Sequence, residues 1–270
     1  MTLSSKFLVL GLLSLAAIVL SASTAKIRAS LISSAPIASA STLPNTPPKN
    51  KKIPIIVYHH VRSPKLFGRN TWSWILSVSP DVFEKQLQWM DDHHYTTIDL
   101  STYVQIMKGE RAGPEKPIVI TFDDNNESQY TDAMPKLLNH HMTAVFYIIT
   151  HRIDQKTFLT KDQIKDMSAK GMDIESHTAT HAMLSMIGTT LMDKELKESK
   201  KTLEEITGKP VLHIAYPLTA QNATVRQHAR DAGYITGTIM DPRTATEKDD
   251  FLKLPRITLN DGSKLEKLLP

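Results

Sequence analysis

From Ile53 onward, short apolar runs alternate with stretches of helical periodicity, and this alternation constrains the fold more than any other feature. Extended runs are read at 54–59 (PIIVYH), 96–98, 118–122 (IVITF), 144–149 (AVFYII), 172–175, 211–216 (VLHIAY) and 234–239 (YITGTI), most of them rich in β-branched or aromatic residues. Helical stretches lie between them, near 81–92, 101–108, 128–141, 161–170, 192–207 and 222–232. Thr160 with Gln163 reads as a capping box, and Gly171, Gly208 and Gly233 stand where C-terminal caps belong. Alternation over about seven units predicts a parallel α/β architecture, either a barrel or a doubly wound sheet. In both, reactive groups gather beyond the C-terminal ends of the strands.

The 118–122 run stops on Asp123–Asp124, followed by Asn125–Asn126. Adjacent carboxylates repel unless a cation or a proton is shared between them. Taken alone, the stretch reads as a solvated turn more readily than as a site, since Asp and Asn are favoured in turns. The 172–175 run is followed at its own end by SHTATH, which carries His177 and His181. Two imidazoles four residues apart can meet one cation, and a neighbouring carboxylate completes a set that leaves positions open for water and substrate. The chain has no cysteine, so disulfides and thiolate chemistry are excluded and any metal must be held by His, Asp or Glu. With one aspartate on the cation and the other free to accept a proton, such a site hydrolyses an amide or ester without a covalent intermediate.

A composition of 41% hydrophobic and 22% charged residues excludes wholesale disorder. The net charge of +4 is scattered, as in Lys194–Lys201, where Glu195 and Glu198 alternate with lysines like a solvated helix face; no nucleic-acid partner is expected. At the N-terminus, Lys6 precedes an uncharged apolar run from Phe7 to Leu20 and then small residues. Residues 1–23 therefore read as a secretory signal peptide or an uncleaved anchor, shorter than the ~20 apolar residues of a full span. Residues 24–52 read as a flexible Ser/Ala/Pro-rich linker, and 53–270 as the catalytic domain. The expected location is extracytoplasmic, secreted or held at the cell envelope, with membrane or cell-wall association through the N-terminus.

Together these residues resemble the NodB-like polysaccharide deacetylases of carbohydrate esterase family 4. The family's Thr-Phe-Asp-Asp stands intact at Thr121–Asp124, and its His-Ser/Thr-x-x-x-His at His177–His181. TAVFYIIT, LTKDQIKDMSAKGMDIESHT and ITGKPVLHIAYP also match the family's wording, and the likeness covers most of 53–260. VYHHV and VSPDVFEKQLQWMDDHHYTTIDL are similar to the branch that deacetylates poly-β-1,6-N-acetylglucosamine. The resemblance implies a distorted (β/α)7 barrel and a secreted, metal-dependent N-deacetylase that releases acetate from N-acetylglucosamine-containing polysaccharide. It implies Asp123 as general base and Asp124, His177 and His181 as ligands of a divalent metal, most often zinc.

In the third motif, here Ala215-Tyr216-Pro217-Leu218-Thr219, the Leu218 backbone amide is implied to help hold the oxyanion, and Tyr216 to contact substrate. Arg256 either pairs with Asp123 in place of the missing motif arginine or is an ordinary surface arginine. His59 either contacts substrate or makes a structural hydrogen bond. His213 is expected to be buried and satisfied, and His93, His94, His140 and His141 to end helices. Trp72 and Trp74 either stack on sugars, pack in the core or meet a membrane edge.

The chain departs from the family in three ways. Asn125–Asn126 replace Gly-Tyr, Leu218–Thr219 replace Tyr-Gly, and the late histidine that serves as general acid is missing, which leaves the proton donor unassigned. These departures keep open a catalytically impaired carbohydrate-binding relative, and a deacetylase or esterase of peptidoglycan or xylan.

Overall fold

The computed structural model describes residues 51–63 and 71–270. The expected leader, residues 1–23, and the linker up to residue 50 lie outside the described residues. Seven parallel strands form the central sheet: β2 (Ile55–Tyr58), β6 (Pro117–Phe122), β7 (Val145–Ile148), β8 (Asp173–Ser176), β9 (His213–Ala215), β10 (Thr236–Met240) and β12 (Leu254–Thr258). Their order is β2-β12-β10-β9-β8-β7-β6, and a β2–β6 pairing closes the ring. Closure decides between the two expected architectures in favour of the (β/α)7 barrel. A single register pair, Ser176↔Ile214, joins β8 to β9, whereas four join β7 to β8, so the ring is uneven.

The sequence reading and the ring differ at one strand. The 96–98 run forms β5 (Thr96–Thr97), which pairs with the start of β6 outside the ring. The seventh barrel strand is instead β12, whose LPRIT carries a proline and an arginine. Proline cannot donate to a ladder and a charge breaks an apolar run, so neither fits the usual strand signature.

Strand alternation divides the apolar residues into two layers. One layer lies between sheet and helices, where Tyr58, Phe83, Phe122 and Phe146 pack ring on ring at centroid distances of 4.8 to 5.9 Å. Phe83 comes from α2 (Pro80–Asp92). The other fills the barrel with Ile55, Val119, Val145, Tyr147 and Leu254. It is closed below by α3 (Leu100–Lys108), which contributes Leu100, Tyr103 and Met107. The outer helices α5 (Lys161–Ala169), α6 (Thr189–Thr207) and α7 (Ala223–Asp231) return the chain from the catalytic end to the foot. The Thr160–Gln163 capping box is formed, and Gly208 ends α6 in the left-handed region at φ 68°.

At the foot, β1 (Lys52–Ile53) pairs antiparallel with β11 (Ala245–Thr246). Lys51 is buried, its backbone N–H on Glu247 at 3.2 Å and its ammonium on the Ile106 carbonyl. The folded domain therefore includes Lys51 and Lys52, two residues more than the 53–270 expected from the sequence.

Also at the foot, Asp173, Glu175 and His213 bring potential ligand atoms within 4.8 Å of one another. The protein itself supplies partners for this cluster. Glu175 Oε2 accepts the Leu212 and His213 N–H groups at 2.9 and 2.7 Å. The His213 ring meets the Ser101 and Thr236 hydroxyls at 3.1 and 2.8 Å, as expected of a buried, satisfied histidine. Burial lowers the His213 pKa to about 3. Burial, reinforced by Asp99, pushes Asp173 up to about 6, and burial with Asp173 raises Glu175 well above the usual carboxylate range.

Between pH ~4 and ~6 the native Asp173 thus holds a proton that the unfolded chain has lost, and its burial subtracts stability as pH rises through that window. Asp173→Asn is expected to stabilise the protein at pH 7 by on the order of 2 kcal/mol, and to lose that advantage near pH 4. Urea unfolding of both proteins at pH 4, 5.5 and 7 checks it, and a pH-independent difference would contradict the assignment.

Candidate active site

The catalytic end is organised by the way β6 stops. The Asp123 N–H still bonds the Tyr58 carbonyl at 3.0 Å, after which Asp124 and Asn125 take φ of 73° and 39°. Asp and Asn tolerate that left-handed region better than other non-glycine residues. The two carboxylates consequently meet different partners.

Asp123 is buried against Arg256, which donates from Nη1 to Oδ1 at 2.7 Å and from Nη2 to Oδ2 at 2.6 Å. Nη1 also reaches Thr121 Oγ1 at 3.0 Å, and the guanidinium lies 5.3 Å from the centre of the Tyr147 ring. Arg256 is 1% exposed, which excludes the surface-arginine reading and places it as the partner of Asp123. Burial alone would raise the Asp123 pKa, but Arg256, His177 and His59 outweigh it and hold the carboxyl below its usual range. His59 is buried with Nε2 3.9 Å from Asp123 Oδ2, and burial lowers its pKa. The Gln129 amide donates to both the His59 and Asp123 carbonyls, at 2.9 and 2.5 Å, and ties the two strand ends together.

Asp124 turns to the histidines. Its Oδ1 lies 3.5 Å from His177 Nε2 and 3.4 Å from His181 Nε2. This oxygen is buried without a hydrogen-bond donor. His177 donates from Nδ1 to the Ala215 carbonyl at 2.8 Å, which fixes the tautomer and leaves the Nε2 lone pair available to a cation. Burial lowers the His181 pKa to about 4, so that ring is neutral near pH 7. On His177 burial lowers the pKa, but the Asp123 and Asp124 charges prevail and raise it, so the field of the two carboxylates favours positive charge at this place. One carboxylate oxygen and two imidazole nitrogens within 4.8 Å, the oxygen lacking a donor, fit a divalent cation.

The loop that carries the histidines is held from behind. Thr178 and His181 adopt φ of 64° and 68°. The His181 N–H bonds Thr178 Oγ1 at 3.0 Å, and the Thr178 N–H bonds Ser176 Oγ at 3.1 Å. From α6, Glu195 accepts both the Thr180 N–H at 2.8 Å and the Thr180 hydroxyl at 2.6 Å. Glu195 is 4% exposed, so the solvated helix face expected for 194–201 is interrupted there by a residue that braces the loop. Its sequence neighbourhood of alternating Lys and Glu gave no sign of this.

The remaining expected residues divide. Leu218 has φ 53° in the turn after β9, at the same rim as Ala215. Thr219 and Ala220 donate to Tyr216 and Pro217, and among the described residues the Leu218 N–H has no acceptor. Tyr216, expected to contact substrate, is instead 2% exposed in the layer between sheet and helices. Its ring covers Gly237, where an added Cβ would come within 2.4 Å of it; Gly237 makes room for the ring. His140 ends α4 (Met134–Asn139) and bonds Glu84 at 3.0 Å, a structural role as expected.

Asn125 and Asn126 are structural staples. Asn125 is fully buried, accepting the Ile149 N–H on Oδ1 and the Leu159 N–H on its carbonyl. Asn126 Oδ1 accepts from the Ser128 N–H and hydroxyl.

A family model described as polysaccharide deacetylase matches residues 110–237. The chain is 27% identical, over 201 residues, to the poly-beta-1,6-N-acetyl-D-glucosamine N-deacetylase of Staphylococcus epidermidis, covering 69% of each chain. Among solved structures, the Streptococcus pyogenes deacetylase PplD in complex with acetate is similar at TM-score 0.76 and 29% identity, over 82% of this chain and 99% of that one. A polysaccharide deacetylase from Bacillus cereus is similar at TM-score 0.71 and 30% identity, over 81% of this chain and 68% of that one.

Proposed function

Since the chain belongs to the polysaccharide deacetylase family, we propose that it removes acetyl groups from an N-acetylglucosamine-containing polymer outside the cytoplasm, with zinc as its metal. The observation that carries this reading is the separation of two adjacent carboxylates: Asp124 faces two imidazoles, and Asp123 is set apart by a bidentate arginine. The likeness to the staphylococcal enzyme favours a β-1,6-linked polymer. The apolar run Phe7–Leu20 behind Lys6 favours export.

Asp124, His177 and His181 would hold the cation. A divalent ion in that position supplies Lewis acidity, making a water more acidic and a carbonyl more electrophilic. Asp123, ionised and oriented by Arg256, accepts the proton as water adds to the acetamide carbon. The Leu218 N–H is a donor for the oxygen that gains charge.

Breaking the C–N bond requires a proton on the leaving nitrogen, and the family's late histidine is absent. Among the described residues outside the ligand cluster, His59 is the imidazole that approaches Asp123, its Nε2 3.9 Å from Oδ2. Burial lowers its pKa, and at that distance His59 is placed to relay to the leaving nitrogen the proton that Asp123 takes from the water. The products are acetate and a free amine.

The test is acetate release by metal-stripped protein reloaded with zinc or cobalt. Substrates are β-1,6- and β-1,4-linked N-acetylglucosamine oligomers, peptidoglycan and acetylxylan. Release from the glucosamine polymers, restored by metal, is expected. Release from acetylxylan alone would make the protein an esterase. Glycan binding with no release under any metal would make it a carbohydrate-binding relative.

A further inference from the structure

The two imidazoles that face Asp124 are held in different ways. The His177 ring is tied directly, through Nδ1 to the Ala215 carbonyl. A metal-bound histidine almost always has its second nitrogen fixed in this manner. His181 departs from that rule. Among the described residues no hydrogen bond reaches its Nδ1, so its place beside Asp124 depends on the backbone that carries it.

That backbone is not one the local chain would choose. Thr178 is β-branched and lies at φ 64°, and His181 lies at 68°. A β-branched residue at positive φ persists only where its surroundings over-determine it. The sheet gives limited help, since β8 ends at Ser176 and meets β9 through a single register pair. The segment after β7 supplies two contacts, the Thr150 and His151 N–H groups on the Thr178 and Ala179 carbonyls at 3.3 and 2.9 Å.

Further contacts come from one face of α6, where Glu195 and Ser199 stand four residues apart. Ser199 gives its proton to the Glu195 carbonyl at 2.8 Å and accepts the Ser176 hydroxyl at 2.8 Å. The Ser176 oxygen is then left to take the Thr178 N–H at 3.1 Å. The Glu195 carboxylate is 4% exposed, and both its oxygens are taken by Thr180, one by the N–H and one by the hydroxyl. Burial of a carboxylate is costly, and here both hydrogen bonds that offset it come from the residue preceding His181.

We propose that Glu195 is a positioning residue for the cation site: acting through Thr180, it holds His181 in place beside Asp124 before any cation arrives. This rests on the reading of Asp124, His177 and His181 as the metal ligands. The contribution is one of placement and not of charge. Without Glu195 the loop would relax, and a cation would have to order Thr180 and His181 as it bound, with a loss of affinity.

The test compares wild type, Glu195→Ala, Glu195→Gln and Leu203→Ala. Glutamine keeps an oxygen for the Thr180 N–H and an amide for its hydroxyl, without the charge. Leu203 is buried further along the same helix, and its truncation removes core volume there. Hydrogen exchange of the metal-free proteins reads the loop amides. Chelator competition reads cobalt affinity, and the cobalt absorption spectrum reads the ligand geometry. In Glu195→Ala the Thr180 and His181 amides should exchange faster than in wild type. Cobalt should bind about 10–100-fold more weakly, with altered visible bands. Glu195→Gln should restore most of the affinity and the wild-type spectrum. Leu203→Ala should melt earlier yet keep both.

Unchanged cobalt affinity and spectrum in Glu195→Ala would overturn the proposal. So would a Glu195→Gln protein as weak as Glu195→Ala, since charge would then be at work. A Leu203→Ala protein that loses affinity to the same degree would overturn it too, because lost stability would account for the effect. Faster loop exchange in Glu195→Ala, with no cobalt bound by wild type, would support the brace and count against the metal reading instead.

Discussion

Asp123→Asn protein is expected to release acetate on the order of 10³-fold more slowly than wild type while binding its metal with unchanged affinity. The substitution keeps the size of the side chain and one acceptor for Arg256, and removes only the charge and the capacity to take a proton. Asp123 stands outside the Asp124, His177, His181 cluster, so metal affinity and rate should separate. Asp124→Asn, in contrast, should lose both together. Single-turnover acetate release and chelator competition on the same preparations make the comparison. A rate within tenfold of wild type for Asp123→Asn would remove it as the base. The substitution also has a structural cost, because Arg256, 1% exposed, loses its counter-charge. Loss of one partner of a buried pair costs about 3–5 kcal/mol, so rates must be compared well below the lowered melting temperature.

Arg256→Met should be comparably severe, for a different reason. It leaves Asp123 buried with the force that most opposes its ionisation, desolvation, no longer met by its strongest counterweight. Stability is expected to fall by about 3–5 kcal/mol near pH 7. In wild type the lowered Asp123 pKa contributes stability above pH ~4, and that contribution is lost as pH falls through the folded value. In the variant burial raises the pKa, so the sign reverses and stability declines as pH rises past ~4. The acidic limb of kcat/KM should move upward in pH with it. An unmoved limb would show that Arg256 does not set the base. The double variant Asp123→Leu/Arg256→Met, with neither charge buried, should recover much of the lost stability, a coupling read directly from a double-mutant cycle.

Those residues were legible in the sequence to very different degrees. Thr121–Asp124 and Ser176–His181 could be read because two unusual polar groups each follow an apolar run at the same rim. Arg256 was visible only as an ambiguous charge, because its strand contains Pro255 and the β-signature depends on side chains rather than on neighbours in the ring. Glu195 was read as solvated since helix amphipathicity averages over a turn, and a single inward carboxylate bonded to Thr180 leaves no periodic trace. Tyr216 sits one residue past β9, and strand alternation turns it towards the helices, into space that Gly237 vacates on the adjacent strand. That match is a property of two strands at once. Asn125 and Asn126 stood out only as a departure from the family's Gly-Tyr, and their hydrogen bonds to Ile149, Leu159 and Ser128 are local scaffolding.

The Asp123–Arg256 pair and the Asp124, His177, His181 cluster are completed at different points along the chain. Asp124, His177 and His181 are all present by residue 181, whereas the partner of Asp123 is residue 256 of 270, on the strand that also seals the ring between β2 and β10. A chain clipped before that strand would keep Asp124, His177 and His181 and lose the arginine that pairs with Asp123. The C-terminal strand therefore controls the charge partner of Asp123 and leaves the Asp124, His177, His181 cluster to other parts of the ring.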